Sequence, residues 1–351
     1  MVGDGPSISI IIPALNAGGT IDRCLAALSR QSLPRASFEV IVVDDGSTDG
    51  TAEVARRWGA VVIRLDRNAG PAAARNAGLA AARGDLIVFT DADCEPADTF
   101  VAALTAELRD ARVGGAKGAY TTRQRSLVAR FVQHEYESRY RRASEQTWID
   151  FVDTYAACFR RADLERVGGF DPRLRVCEDQ ELSFRLAEAG LRIRFVPAAR
   201  TAHLHTDRLG SYLRKKFRIA WWKVAVLRRH PGKAVHDSHT PQALKLEIPL
   251  AYASLVALLS TPVLARVGLR GRWWAAAAAP ALAHVCLSAA FSARVLHADP
   301  AVAVVAPALL FLRDLALGAG LVLGILRGPR LAAGEPVSVT PATGRAAIGV
   351  A

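Results

Sequence analysis

Apolar residues in the first part of the chain come in short runs, each closed by a polar or glycine-bearing turn and followed by a stretch with three- and four-residue apolar spacing. Ser7-Ile-Ser-Ile-Ile-Ile12 ends at Pro13, and Ile21, Leu25 and Leu28 recur at helical steps after Thr20. Phe38-Glu-Val-Ile-Val-Val43 runs into Asp44-Asp45-Gly46-Ser47-Thr48-Asp49, and the helical stretch that follows reaches Trp58 and stops at Gly59. Val61-Val-Ile-Arg-Leu65 precedes Asn68-Ala-Gly70-Pro71 and an alanine-rich helix ending near Gly84. Leu86-Ile-Val-Phe-Thr90 then reads as a fourth strand that ends on Asp91-Ala-Asp93. Strands alternating with helices over about 85 residues predict an α/β domain with a mostly parallel sheet covered on both faces.

Ligands of such sheets collect at the C-terminal ends of the strands, where Asp44/Asp45 and Asp91/Asp93 both fall. Carboxylates at that edge can share a hard cation such as Mg²⁺, whose shell phosphate oxygens commonly complete. An Asp-rich turn can equally do no more than solvate a loop. Asp44 or Asp45 can accept hydrogen bonds from a nucleotide or cap the following helix, and Arg75 can reach a diphosphate or stay in solvent. No GxGxxG follows the first strand and no GxxxxGK[ST] occurs, which argues against a dinucleotide-binding dehydrogenase and a P-loop enzyme.

Further on, Ala116–Tyr120 predicts a strand and Leu127–Ser144 a long amphipathic helix. Arg123, Arg125, His134 and Tyr136 are unranked binding candidates. Gly168-Gly-Phe-Asp171 leads to Cys177-Glu178-Asp179, with helical periodicity from Leu182 to Gly190. Acids at a helix start complement its positive end; alternatively one of them is a general base. Ala202-His203-Leu-His205 follows a strand expected over Leu191–Val196.

The pattern changes after Thr206. Arg208–Arg229 carries eight Lys/Arg and no acid, with Leu209, Leu213, Phe217, Trp221 and Val224 at helical spacing. Such a helix suits an anionic membrane surface. Nucleic acid, the competing partner for a chain of net charge +12, is set aside because the following hundred or so residues are apolar. Ile248–Ala265 and Trp273–Ala293 contain no charge, and Ala301–Leu326 is broken only by Arg313 and Asp314. Those two charges are costly in mid-span and should face protein or water, as a pair within a helix bundle or as a headgroup contact. Of the 351 residues, 51% are hydrophobic, with the excess at this end. The five cysteines form no CxxC pair and no secretory leader stands at Met1-Val-Gly-Asp, so a reducing cytosolic face is expected rather than a zinc cluster or a disulfide framework.

Ser9-Ile-Ile-Ile-Pro13-Ala-Leu-Asn16, Val42-Val-Asp-Asp-Gly-Ser-Thr-Asp49, Gly70-Pro-Ala-Ala-Ala-Arg75-Asn76-Ala-Gly78 and Thr90-Asp-Ala-Asp93, in that order, resemble the motif series of family-2 inverting glycosyltransferases. Leu15 departs from the tyrosine frequent at that point in the family. The resemblance covers about the first 205 residues. It implies a GT-A fold, a nucleotide-sugar donor and a divalent metal, Mg²⁺ or Mn²⁺. By matching position it gives Pro13, Asn16, Asp44, Asp45 and Arg75 to the nucleotide, Asp91 and especially Asp93 to metal and diphosphate, Asp179 to the base and Glu178 to shaping the site. One of His203 and His205 would approach the metal or diphosphate, with spacing leaving the choice open.

The expected organisation is a GT-A domain over residues 1–206, a basic interfacial segment over 207–245, two to three membrane helices over 246–327 and a disordered tail over 328–351. Three spans are preferred, although they put Arg266, Arg270 and Arg272 outside, against the positive-inside tendency. The reading is metal-dependent inverting transfer of a sugar to a lipid-linked or glycan acceptor by a multi-pass protein of the cell (inner) membrane, its catalytic domain cytosolic and its contacts anionic lipids, without nucleic acid. The alternatives are a processive polysaccharide synthase, for which Lys215–Trp221 offers only a degraded motif, a nucleotidyltransferase, or a non-catalytic membrane scaffold.

Overall fold

A computed structural model describes residues 6–234, 240–266, 273–329, 331 and 339–340. The chain divides into two units, one of residues 1–123, 140–204 and 330–351, the other of residues 124–139 and 205–329.

The first unit begins with the expected alternation: β1 (Ile8–Ala14), α1 (Ile21–Ser29), β2 (Phe38–Asp44), α2 (Thr51–Arg57), β3 (Val61–Leu65), α3 (Pro71–Ala81) and β4 (Leu86–Thr90). β1 pairs in parallel with β2 and β4, and β2 with β3. All seven residues of β2 are buried, as a strand covered on both faces requires. Then come β5 (Cys94–Pro96), α4 (Phe100–Glu107), β6 (Val113–Thr121), α5 (Leu127–Ser144), β7 (Ala156–Arg160), α6 (Arg161–Arg166), α7 (Glu178–Glu188) and β8 (Arg192–His203). These strands extend the sheet beyond β4 in the order β5-β8-β6-β7-β4-β1-β2-β3. The β4–β7, β6–β7 and β5–β8 pairs are antiparallel and β6–β8 is parallel, so a parallel wing adjoins a mixed one.

β8 continues past Val196, the end expected from the sequence, through Pro197 to His203. Lys117 pairs with Phe195 and Ala119 with Arg200, so β8 bulges outward over Val196-Pro-Ala-Ala199. Proline is tolerated there because a bulged residue owes no ladder hydrogen bond. A Cβ on Gly118 would collide with the Ala199 carbonyl, so the bulge seats against a position that only glycine can fill. Most of the tail expected to be disordered lies outside the described residues; Val339–Thr340 forms β9, antiparallel to β3.

The second unit contains the first part of α5, α8 (Leu209–Arg229), α9 (Leu244–Arg266), α10 (Trp273–Val295) and α11 (Pro300–Arg327). α9, α10 and α11 are long and apolar enough to cross a membrane. They expose Val256, Leu258, Leu259, Val304 and Leu326. Phe131 and Val132 of α5 and Tyr212 of α8 share a buried cluster with Phe291, Val302, Ala306 and Leu310. α8 lies against α11 where Gly320 and Gly324 face Phe217, Ala220 and Val224 too closely for any side chain at the glycines.

Arg313 and Asp314 form a pair within this bundle, the first of the two expected arrangements. Arg313 reaches Glu247 of α9 at 2.7 Å, Asp314 at 2.8 Å and Glu135 of α5 at 3.3 Å. Asp314 also meets His284 of α10 at 2.8 Å, and Glu135 meets Lys216 of α8 at 2.9 Å. Burial alone would raise the Glu135 carboxyl, but Lys216 and Arg313 outweigh it and hold its pKa at about 2.

Candidate active site

Four loops end on one edge of the parallel wing and knit together through their own polar groups. Asn16 takes a left-handed backbone conformation (φ 49°), donates its N–H to Ser47 Oγ at 2.9 Å and accepts from Thr48 N at 2.9 Å. Asp44, fully buried, accepts from Ser47 N at 2.8 Å, while its second oxygen lies 3.6 Å from Arg64 Nε. Both Asp45 oxygens accept backbone N–H groups, from Ala69 at 2.7 Å and Gly70 at 2.9 Å. Pro13 lies beside Val43 in the β1–β2 register. Thus Asn16, Asp44 and Asp45, assigned to the nucleotide on resemblance, also hold the rim in shape.

Arg75 joins this edge to α7. Its Nη2 donates to Asp91 Oδ1 at 3.0 Å and its Nη1 to Glu178 Oε1 at 2.7 Å, with the guanidinium over the Phe170 ring. The next residue secures the same connection: Asn76 donates to the Phe170 carbonyl at 2.7 Å and accepts from its N–H at 2.8 Å, fastening the Gly-Gly-Phe turn to α3. Burial would lower the Arg75 pKa, but Asp91 and Glu178 more than reverse it. The guanidinium is therefore a fixed positive charge among three acids, Asp91, Glu178 and Asp179.

Asp91 is half-buried and Asp93 more open, both immediately beyond β4. Burial raises the Asp91 pKa, with Asp93 adding to the shift and Arg75 opposing it. His203 arrives from β8, where Cys94 pairs directly with it across the β5–β8 ladder, and its Nε2 lies 3.3 Å from Asp93 Oδ2. His205 belongs to the second unit, where its Nε2 meets Gln133 Oε1 at 2.9 Å and its ring stacks on Tyr136. Two carboxylates and one imidazole suit Mn²⁺ or Mg²⁺ chemically. Among the described residues, no three His, Cys, Asp or Glu side chains converge closely enough to cage a cation by themselves.

Asp179 stands in the first turn of α7, which begins after Cys177 in a left-handed conformation (φ 66°). Its carbonyl accepts from Ser183 Oγ at 2.6 Å, and Ser183 Oγ in turn accepts from Val152 N at 2.9 Å. The segment so pinned brings Asp153, paired with the buried Lys117 at 2.7 Å, into the field of Asp179. Burial first, then Glu178 and Asp153, push the Asp179 pKa well above the usual carboxylate range, as a group poised to accept a proton requires. The sequence placed Asn76 in a motif without indicating its partner and offered no sign of Lys117 or Asp153, because each acts on a residue far away in the chain.

Residues 9–168 match the model of Glycosyl transferase family 2. A pre-mycofactocin glycosyltransferase of Mycobacterium tuberculosis is 30% identical over 241 residues, 65% of this chain and 50% of that one. Glycosyltransferase AglE of Haloferax volcanii is 41% identical over 96 residues, 26% of this chain and 32% of that one. The chain spans about half the length, or less, of these curated relatives. Among solved structures, the mannosyltransferase PcManGT from Pyrobaculum calidifontis, in complex with GDP-Man and Mn²⁺, shares the fold with a TM-score of 0.59 and 24% identity, over 91% of this chain and 87% of that one. Motif order, sheet and family match agree: residues 9–168 resemble glycosyl transferase family 2, and the chain shares the GT-A-like fold of the mannosyltransferase.

Proposed function

We propose that this protein transfers a sugar, with inversion at the anomeric carbon, from a nucleotide-sugar donor to an acceptor hydroxyl presented at the cytosolic face of the cell (inner) membrane. The observation that carries the proposal is the Arg75 bridge, which ties donor-side Asp91 to Glu178, the neighbour of the proposed base. Asp179 takes the hydroxyl proton as the acceptor oxygen bonds to the anomeric carbon, and the bond to the diphosphate breaks on the opposite face. General-base help of this kind contributes roughly 10²–10⁴-fold. Pro13, Asn16, Asp44 and Asp45 shape the nucleoside end, and Arg75 keeps Asp91 and Glu178 in register. A divalent cation held by Asp93, Asp91 and His203, its shell completed by diphosphate oxygens, would neutralise charge on the leaving group. Support for donor and metal comes from the family and from the GDP-Man and Mn²⁺ named for the mannosyltransferase.

Three candidate spans in the same chain support a membrane-associated acceptor, lipid-linked or glycan, and the basic face of α8 supports contact with anionic lipid. The test is transfer of labelled sugar into lipid extract by purified protein with Mg²⁺ or Mn²⁺, from a panel including GDP-mannose and UDP-sugars. Label in lipid, lost in Asp93→Ala and Asp179→Asn, is the expected result. Absence of both transfer and donor hydrolysis in the folded parent across the panel would overturn the proposal.

A further inference from the structure

His203 sits in an aromatic mount that the proposed reaction does not explain. Tyr120 of β6 stacks on its ring, with centroids 4.2 Å apart and planes 25° apart. The other face of Tyr120 is covered by Tyr155, at 3.3 Å and 12°. The Tyr155 hydroxyl lies 2.6 Å from that of Tyr140, and the Tyr140 oxygen accepts the backbone N–H of Tyr120 itself at 2.8 Å, closing the arrangement into a ring of contacts. Thr122 Oγ donates to the His203 carbonyl at 3.1 Å. Tyr120, Tyr140 and Tyr155 are all buried, so none of them offers a sugar-binding platform.

We propose that Tyr120 is a positioning residue whose ring aims His203 Nε2 at Asp93 and so presets the cation site. A face-to-face stack fixes the plane of an imidazole without covering its edge, where the nitrogens lie. An unsupported histidine would lose side-chain freedom each time it took up a cation, whereas a held one has lost it on folding. Partners that orient a ligating histidine typically change metal affinity by about 10–100-fold when removed. The inference rests on the proposed role of His203 beside Asp93.

The experiment is titration of the full-length protein in detergent with Mn²⁺ in the presence of GDP or UDP, following free Mn²⁺ by its paramagnetic resonance signal. Tyr120→Phe, which keeps the stack, should match the parent. Tyr120→Leu, similar in bulk but not planar, should bind Mn²⁺ about 10–100-fold more weakly. His203→Gln should lose affinity as well, and Tyr120→Leu combined with His203→Gln should lose little more than His203→Gln alone, because Tyr120 acts through that ring. A purely structural role would instead give independent, additive losses. Parent-like affinity in Tyr120→Leu, or additivity in the double variant, would overturn the inference while leaving the cation site standing. If Tyr120→Leu fails to fold, Tyr155→Leu, which removes the outer plate, takes its place and must also weaken Mn²⁺. No Mn²⁺ binding by the parent, or none lost in Asp93→Ala and His203→Gln, would overturn the reading of the cation site itself, and with it this inference.

Discussion

Arg75 has a carboxylate at each end of its guanidinium, and this geometry sets what its replacement should do. Arg75→Ala leaves Asp91 and the buried Glu178 without their shared cation, and removal of one partner from a buried pair costs about 3–5 kcal/mol. The midpoint of thermal unfolding should fall accordingly. Arg75→Lys keeps the charge but cannot span both acids, so it should retain more stability than Arg75→Ala and still lose most transfer. Asp179 should behave in the opposite sense. Its pKa is raised in the folded protein, first by burial, so its contribution to stability is fully present below the unfolded-state value and is lost as pH rises through the raised one. Asp179→Asn removes that penalty. It should melt higher than the parent at neutral pH, with the gap closing as pH falls, yet transfer about 10²–10⁴-fold more slowly. In the parent, the acidic limb of kcat/KM should lie above the ordinary carboxylate range.

Among the elements, β8 departs furthest from its sequence pattern and has the most specific consequence. Periodicity made β1 to β4 visible because each is a continuous apolar run with a clear stop. β5 spans only three residues, too few to show a period, and β7 reads Ala-Ala-Cys-Phe-Arg without alternation. Pro197 concealed the second half of β8, since proline argues against a strand unless a bulge receives it. The carboxylate motifs were legible for the same local reason, each lying just beyond a readable strand. The choice between His203 and His205 was not, because it depends on the register of β8 against β5. Deleting Ala198 should shift the strand beyond the bulge by one residue and turn His203 to the other face. The protein should then bind Mn²⁺ and GDP together far more weakly than GDP alone would predict. Gly118→Ala, which drives a methyl group into the Ala199 carbonyl, should weaken Mn²⁺ and lower the melting temperature together, as calorimetry and the resonance titration can check.

For the molecule as a whole, the division into two units does not follow the order of the chain. Residues 124–139 lie within the stretch covered by the family match, yet belong to the helical unit, where Glu135 joins the charges around Arg313. Arg313→Met should leave Glu247, Asp314 and Glu135 with too little positive charge and lower the detergent melting temperature more than Arg313→Lys does. The apolar runs made α9, α10 and α11 legible, but one partner of Arg313, Glu135, comes from α5, whose sequence otherwise reads as an amphipathic surface helix.

The placement of α5 also limits where this gene can be cut. A chain stopped after residue 206 would keep Phe131 and Val132 but lose Phe291, Val302 and Leu310, the side chains that cover them. One stopped after residue 243 would keep α8 but bare the flank that Gly320 and Gly324 close off. Either fragment carries a sticky apolar stripe into water and should need detergent to stay dispersed. The two halves are not severable by a single stop codon: the helical unit is written into the middle of the sequence as well as its end.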